Sequence, residues 1–494
     1  MTQRKRLGPG ALVWAGFDGP QVPGVLLDAI RDGRIGGLVL FAFRGNIRSK
    51  EQVRAMLAEA QQAAARGGHE PIPVGVDQEG GAVVRIAYRA AMPSAMAIGA
   101  TADTQLCERA ARAVAEGLRA DGIALNHAPV CDVNVEPRNP VIGTRAFGDD
   151  PRRVAAFAAA WVRGSEGAGV ATSPKHFPGH GAAAIDSHHH SVAIGADRGL
   201  LERRELVPFR AAFAAGASAA MTGHIRFPAL DAHNVATLSR AILIDLLRND
   251  LGFTGLLFTD SLDMSAIADI PGSSPVVTRA LNAGIDAVMV TSGIERQLAA
   301  TDEILEGVRP RRVAEALRRA TRFRERFGIC VPDGDIDDAG ARTAAREIGE
   351  RSITHIGPPL PHLGGALRVT AVAPERGSPV EELADPLGTL ESALRARLGE
   401  RVRFARDASV PDGDGILVVC SSGAYIDDAQ ARRVRALLAD GGILCALRSP
   451  YDAAIVPERP ALLTFGDVPA SLEALAAVLS GEQPARGTLP VRLG

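Results

Sequence analysis

The sequence predicts an α/β chain in two parts, a (β/α)8 TIM barrel followed by a smaller doubly wound α/β sandwich domain. Three observations predict it. Short runs rich in Val, Ile, Leu and Ala recur through about the first 300 residues, each followed by a longer segment of helical periodicity. The alternation stops after Phe327 at GICVPDGDIDDAGAR, an acidic, glycine-containing stretch with the composition of a linker. Beyond it the apolar runs return, again with helical segments between them.

Taken in order, the barrel strands are expected at ALVWAGF from Ala11, GGLVLF from Gly36, IPVGVD from Ile72, ALNHAPV from Ala124, VATSPKHF from Val170, ASAAMTGH from Ala217, GLLFTDS from Gly255 and DAVMVTS from Asp286. The segments between them read as amphipathic helices. DPRRVAAFAAAWVRGSEG, for example, offers Asp150 as N-cap and Pro151 at the first helical position. Strands of the second part are expected at LRVTAVAP from Leu367, GILVVCSS from Gly415, GILCALRS from Gly442 and ALLTFGD from Ala461. The boundaries are therefore a catalytic barrel over residues 1–330, a linker and connecting helix over 331–350, and a C-terminal α/β domain over 351–494. A chain of 494 residues is too long for one ordinary core, which fits this division.

Composition narrows the function. With 46% apolar residues and a formal charge of −2, the chain has no basic excess to bind nucleic acid or an anionic membrane surface. No run approaches the roughly 18 apolar residues of a membrane span, and the N-terminal segment is a poor signal-peptide core. The five cysteines are scattered and never spaced as CxxC, which favours a reducing cytoplasm over a disulfide framework. The second part contains neither GxGxxG nor a P-loop lysine, so nucleotide binding has no specific support there. At 4% aromatic residues, long sugar-stacking or base-stacking platforms are not expected either. Of 55 lysines and arginines, only Lys5, Lys50 and Lys175 are lysines, and the last opens KHFPGHGAAAIDSHHHS.

Barrel chemistry sits at the C-terminal ends of strands, and polar residues collect there. Asp77 closes the third apolar run, with Arg85 soon after; Asp132 follows the fourth, with Arg145 in its loop. Lys175 and His176 close the fifth, His224 the sixth and Asp260 the seventh. An aspartate after a strand is also a common helix N-cap, and the arginines could be surface groups. A lysine retained beside His176 in so arginine-rich a chain points to a place for a compact ammonium rather than a guanidinium fork.

The histidine-rich stretch admits three readings. A metal site would need His176 and His180 to converge, but Pro178, Gly179 and Gly181 oppose a helix across the pair; His127, His224 and Asp260 could converge from separate strands instead. A pH-sensing tract lacks a partner element. In the third reading Asp186 accepts a hydrogen bond from His188, fixing the tautomer so that the other ring nitrogen can give and take a proton. Asp260 is then the candidate nucleophile, and the outline is a retaining glycosidase in which the Asp186 and His188 dyad stands in for the usual second carboxylate.

KHFPGHG, four residues and then DSH resembles the signature of the β-N-acetylhexosaminidase branch of glycoside hydrolase family three. VDQEGGAVVRI, IGTRAFGDDP, MTGHIRFPALD, ATLSRAILIDLLRNDLGFTGLLFTDSLDM and the closing GTLPVRLG resemble family segments in the same order. The resemblance implies a retaining exo-β-N-acetylglucosaminidase that removes terminal β-linked N-acetylglucosamine, typically from peptidoglycan fragments, by double displacement. It implies Asp260 as nucleophile, His188 with Asp186 as acid/base dyad, and Asp77, Arg85, Arg145, Lys175 and His176 as sugar-hydroxyl ligands. His224 and Met264 would line the pocket and His180 would shape the loop; no metal or cofactor is implied, and the partner is a small carbohydrate. His189 and His190 match no family position, and Ala82 stands where an arginine is common. A β-glucosidase or a phosphorylase on the same site, and a metal-dependent barrel hydrolase, are the alternatives.

Overall fold

The computed structural model describes residues 7–184, 192–268, 275–328, 336–372 and 385–493. Eight parallel strands form the first sheet: β1 (Val13–Ala15), β2 (Gly37–Leu40), β3 (Val74–Val76), β4 (Leu125–Asn126), β5 (Ala171–Thr172), β6 (Ala219–Thr222), β7 (Leu256–Ser261) and β8 (Ala287–Val290). Their order, β5-β4-β3-β2-β1-β8-β7-β6, is that of a barrel opened between β5 and β6. The chain just beyond β5 closes that gap: Met221 N donates to the Pro174 carbonyl at 3.1 Å and Phe177 N to the Met221 carbonyl at 2.8 Å. All eight apolar runs therefore become barrel strands. β4 and β5 are only two residues long because Pro129 and Pro174 follow them and cannot donate to a ladder.

The barrel interior is filled by large side chains seated over glycines. Trp14 on β1 lies edge-on to Phe258 on β7 with centroids 4.9 Å apart, and His127 meets the same ring at 5.6 Å. A Cβ at Gly37 on β2 would collide with the Trp14 indole, and one at Gly75 on β3 would stand 2.9 Å from His127 Nε2. The two glycines thus give β2 and β3 room for bulky neighbours, as close packing of a small barrel demands. Outside, the helix Pro151–Gly167 begins as its sequence predicts, with Asp150 accepting from the N–H groups of Arg152 and Arg153 at 2.9 and 2.8 Å.

The helix Ala339–Ser352 leads into a second sheet of β9 (Thr354–Ile356), β10 (Leu367–Val372), β11 (Val402–Ala405), β12 (Ile416–Ser421), β13 (Ile443–Ala446) and β14 (Ala461–Leu463). Its order is β9-β14-β13-β12-β10-β11, parallel except for β9. The chain runs from β10 to one neighbour, β11, and then crosses to the other, β12, which is doubly wound topology. β9 and β11 are edge strands whose polar and arginine residues hide them from an apolar-run search. Loops at the C-terminal ends of this sheet face the barrel: Asn134 donates to the Tyr451 hydroxyl at 3.0 Å and Ser94 Oγ to the Phe465 carbonyl at 2.6 Å. Barrel side chains and residues such as Val419, Tyr451, Phe465 and Val491 share one continuous apolar cluster. Among the described residues no helix is long and apolar enough to cross a membrane.

The barrel packing makes a direct prediction. Gly37→Ala should lower the unfolding free energy by about 1–3 kcal/mol through overpacking against Trp14. Denaturant unfolding should show partial recovery when Trp14→Leu is added, and no recovery would mean the clash lies elsewhere.

Candidate active site

A cavity of about 390 Å³ opens where β2, β3, β5, β6, β7 and β8 end, and Asp77, Arg85, Arg145, Lys175, His176, Asp260 and Met264 all line it. The geometry is best built from β3. Directly after Asp77 the chain makes a short hairpin, Gln78–Gly80 against Val83–Val84, with Gly80 at φ +97°. Asn126 at the end of β4 pins its start, accepting from Gln78 N and donating to the Gln78 carbonyl, both at 2.9 Å. Glu79, two residues beyond Asp77, consequently returns to the same cavity wall.

Glu79 is the residue that strand-end reasoning overlooked. Its carboxylate takes a two-pronged grip from Arg145, Nε and Nη2 each at 2.8 Å, and lies 2.6 Å from Lys175 Nζ. The same ammonium reaches Asp77 Oδ1 at 2.5 Å. Lys175 is 2% exposed and Glu79 5%. One nitrogen bridging two carboxylates is what the lone lysine suggested, since a planar guanidinium could not occupy that point. Burial is the largest single influence on Asp77 and opposes its ionisation, but Lys175, His127 and Arg85 together outweigh it and hold the carboxyl well below the usual range. For Glu79 burial is likewise outweighed, by Arg145 and Lys175, and its pKa falls to about 2. Burial lowers the Lys175 pKa, yet Asp77 and Glu79 together raise it above its ordinary value. All four groups are therefore charged at neutral pH. The signal available in the sequence was the two-residue spacing of Asp77 and Glu79, which places alternate side chains on one side.

The opposite wall carries Asp260, at the end of β7, whose Oδ1 accepts from Ser261 N at 2.7 Å. Asp263, the second acid of TDSLDM, has a different duty: its Oδ2 accepts from Thr291 N at 2.7 Å and Ser292 N at 2.8 Å, tying the β7 loop to the end of β8. Asp132 is no helix cap. It accepts from His176 Nδ1 at 2.7 Å and from His180 N at 2.7 Å, fixing the His176 ring and the loop beyond it. Arg85 is 3% exposed, with its guanidinium carbon 5.3 Å from the centre of the Phe43 ring. Met221, Met264, Met289, Phe41 and Phe43, with Val39 and Val83, make the apolar part of the lining.

His224 stands behind this wall rather than among the lining residues. Nδ1 pairs with Thr237 Oγ1 at 2.7 Å and Nε2 with the Ser261 carbonyl at 2.9 Å, so the ring props the strand end that carries Asp260. Burial pushes the pKa values of His127 and His180 down to about 4, which keeps both neutral near pH 7. Among the described residues no three His, Cys, Asp or Glu side chains group as metal ligands. Asp186, His188, His189 and His190 lie outside the described residues. The chain before them is anchored at His180 by Asp132, and the chain after them resumes as Val192–Ala193, paired with Ile225–Arg226 just past His224.

Residues 21–323 match the model of the glycosyl hydrolase family 3 N-terminal domain. A β-hexosaminidase of Stenotrophomonas maltophilia (strain K279a) is 38% identical over 282 residues, covering 56% of this chain and 82% of that protein. β-Hexosaminidase A of Pseudoalteromonas piscicida is 35% identical over 294 residues, 56% of this chain and 49% of that protein, so the chain matches about half of that relative's length. A glycoside hydrolase family 3 β-N-acetylglucosaminidase from Paenibacillus sp. str. FPU-7 superposes with a TM-score of 0.91 at 33% identity, covering 98% of each chain.

The charge cluster ties stability to pH. Asp77 and Glu79 have depressed pKa values, so their contribution is complete above the ordinary carboxylate value, 4.5 for Glu79, and is lost as pH falls towards about 2. Glu79→Gln should cost about 3 kcal/mol at pH 7, because it leaves buried cations undercompensated. Its stability should also decline less steeply than wild type on acidification; parallel curves would show that Glu79 carries no such linkage.

Proposed function

The chain belongs to glycosyl hydrolase family 3, and from that premise we propose that it is a retaining exo-β-N-acetylglucosaminidase acting at the cavity between Asp260 and the Asp77, Glu79, Lys175 and Arg145 cluster. The observation that carries the proposal is the placement of Asp260, fixed at a barrel strand end and facing a wall of charged hydrogen-bonding groups. That wall suits a hydroxyl-rich ring: carboxylates accept from sugar hydroxyls while the ammonium, guanidinium and imidazole donate to them. The S. maltophilia and Paenibacillus proteins, a β-hexosaminidase and a β-N-acetylglucosaminidase, favour an N-acetylhexosamine as that ring.

In the first displacement an Asp260 oxygen forms a bond to the anomeric carbon as the glycosidic C–O bond breaks, and the departing oxygen takes a proton from His188. In the second, His188 removes a proton from water, whose oxygen bonds to the anomeric carbon and releases the Asp260 carboxylate. Asp186 orients the imidazole and stabilises its charged form. The support for this dyad is the DSH spacing in the sequence. The Ser261 N–H holds the Asp260 carboxylate in one orientation, limiting what must be ordered on reaching the transition state. We assign the natural substrate to peptidoglycan-derived or other N-acetylglucosaminides and the working compartment to a reducing cytoplasm, the latter from cysteine usage.

Aryl glycosides test the assignment. The protein should cleave the aryl β-N-acetylglucosaminide in clear preference to the aryl β-glucoside, with chelator making no difference. Asp260→Asn should lower kcat on the order of 10³-fold or more. Preference for the glucoside would reject the substrate, and near-normal turnover by Asp260→Asn would reject the nucleophile.

A further inference from the structure

The lining contains one feature that the chemistry at Asp260 does not use. Phe43 is 53% exposed, the exposed member of an otherwise buried or half-buried lining. Phe41 packs against the main apolar cluster; Phe43 belongs to none of the clusters of the fold and rests against the Phe41 ring, with centroids 5.3 Å apart. Its ring projects at the cavity mouth in a chain with only 4% aromatic residues. A lone exposed apolar residue needs no explanation on an ordinary surface. At the rim of a site built for a polar ring, it offers a flat apolar face to whatever extends from that ring.

The loop holding Phe43 is braced. Asn46 is fully buried; its Oδ1 accepts from Phe41 N at 2.9 Å and its Nδ2 donates to the Phe17 and Gly19 carbonyls, both at 2.9 Å. Arg44 Nη1 reaches the Thr291 carbonyl at 2.7 Å, joining the loop to the end of β8. The Arg85 guanidinium carbon lies 5.3 Å from the ring centre and braces one side of it. Position is thus fixed before any ligand arrives, which lowers the ordering cost of a stacking contact. Met221 and Met289, 2% and 3% exposed, are buried members of the lining, so the exposed Phe43 marks its solvent side.

We propose that Phe43 is the platform of a leaving-group subsite, receiving the C–H face of a second pyranose attached to the ring held at Asp260. The proposal rests on the glycosidase assignment. Sugars present an apolar face of axial C–H bonds, and an aromatic ring recognises it without demanding a particular hydroxyl pattern. The enzyme would accordingly favour a disaccharide over a glycoside whose leaving group has no ring.

The test compares N,N′-diacetylchitobiose with methyl β-N-acetylglucosaminide for wild type, Phe43→Ala and Phe43→Trp. Phe43→Ala should lose about 10-fold more kcat/KM on the disaccharide than on the methyl glycoside, mainly through KM, and Phe43→Trp should restore the selectivity. Equal losses on both substrates would mean that Phe43 acts through Arg85 on the first ring and would overturn the subsite. No loss on either would overturn it too. If wild type cleaves the aryl β-N-acetylglucosaminide but not the disaccharide, the subsite is overturned while the glycosidase assignment stands; if it cleaves none of the three, the assignment itself fails.

Discussion

A single buried ammonium organises this site. Taking a charged amine out of water costs several kcal/mol unless opposite charges surround it. Lys175 meets that demand with Asp77 and Glu79 at 2.5 and 2.6 Å, and Glu79 in turn satisfies Arg145. The consequence is structural before it is catalytic. β3, its hairpin, the loop after β4 and the end of β5 must all arrive at one point, because any one of them withdrawn leaves an uncompensated charge. Such a cluster is also preorganised: its dipoles and charges stand in place before a ligand enters, so little reorganisation remains for binding.

The rest of the molecule serves that convergence. Gly37 and Gly75 let Trp14 and His127 fill the barrel below the cluster, giving it a dense floor. Asp132 and His224 stand behind the lining, one orienting His176 and the other propping the carbonyl beside Asp260. The second domain reaches the rim region through Tyr451 and Phe465, which bond to Asn134 and Ser94. Its contribution in these contacts is to hold barrel loops, and among the described residues the charged groups lining the cavity with Asp260 belong to the barrel.

Much of this was legible in sequence for a simple reason. Parallel strands covered on both faces must be continuously apolar, so the eight barrel runs and the four central strands of the second sheet stand out. The edge strands β9 and β11 are half exposed and lack that signature. At the site, charges that follow apolar runs were easy to find: Asp77, Arg145, Lys175 and Asp260 all face one cavity. Glu79 was not, because VDQEGG looks like a glycine turn, which masks the two-residue spacing that sets Glu79 beside Asp77. His224 shares the strand-end position of the others yet points behind the lining, a difference that one-dimensional spacing cannot encode. Asp186 and His188 are proposed as a pair from the DSH spacing and lie outside the described residues.

The proposed double displacement requires an Asp260 oxygen to form the covalent bond to the sugar. Incubation with an activated fluorinated N-acetylglucosaminyl donor, which slows the second displacement, followed by proteolysis and mass spectrometry, measures this directly. The result predicted is one sugar residue attached to the peptide containing TDSLDM, with fragmentation placing it on Asp260. A label on Asp263, on Asp77 or on no peptide, under conditions in which the enzyme is inactivated, would contradict it.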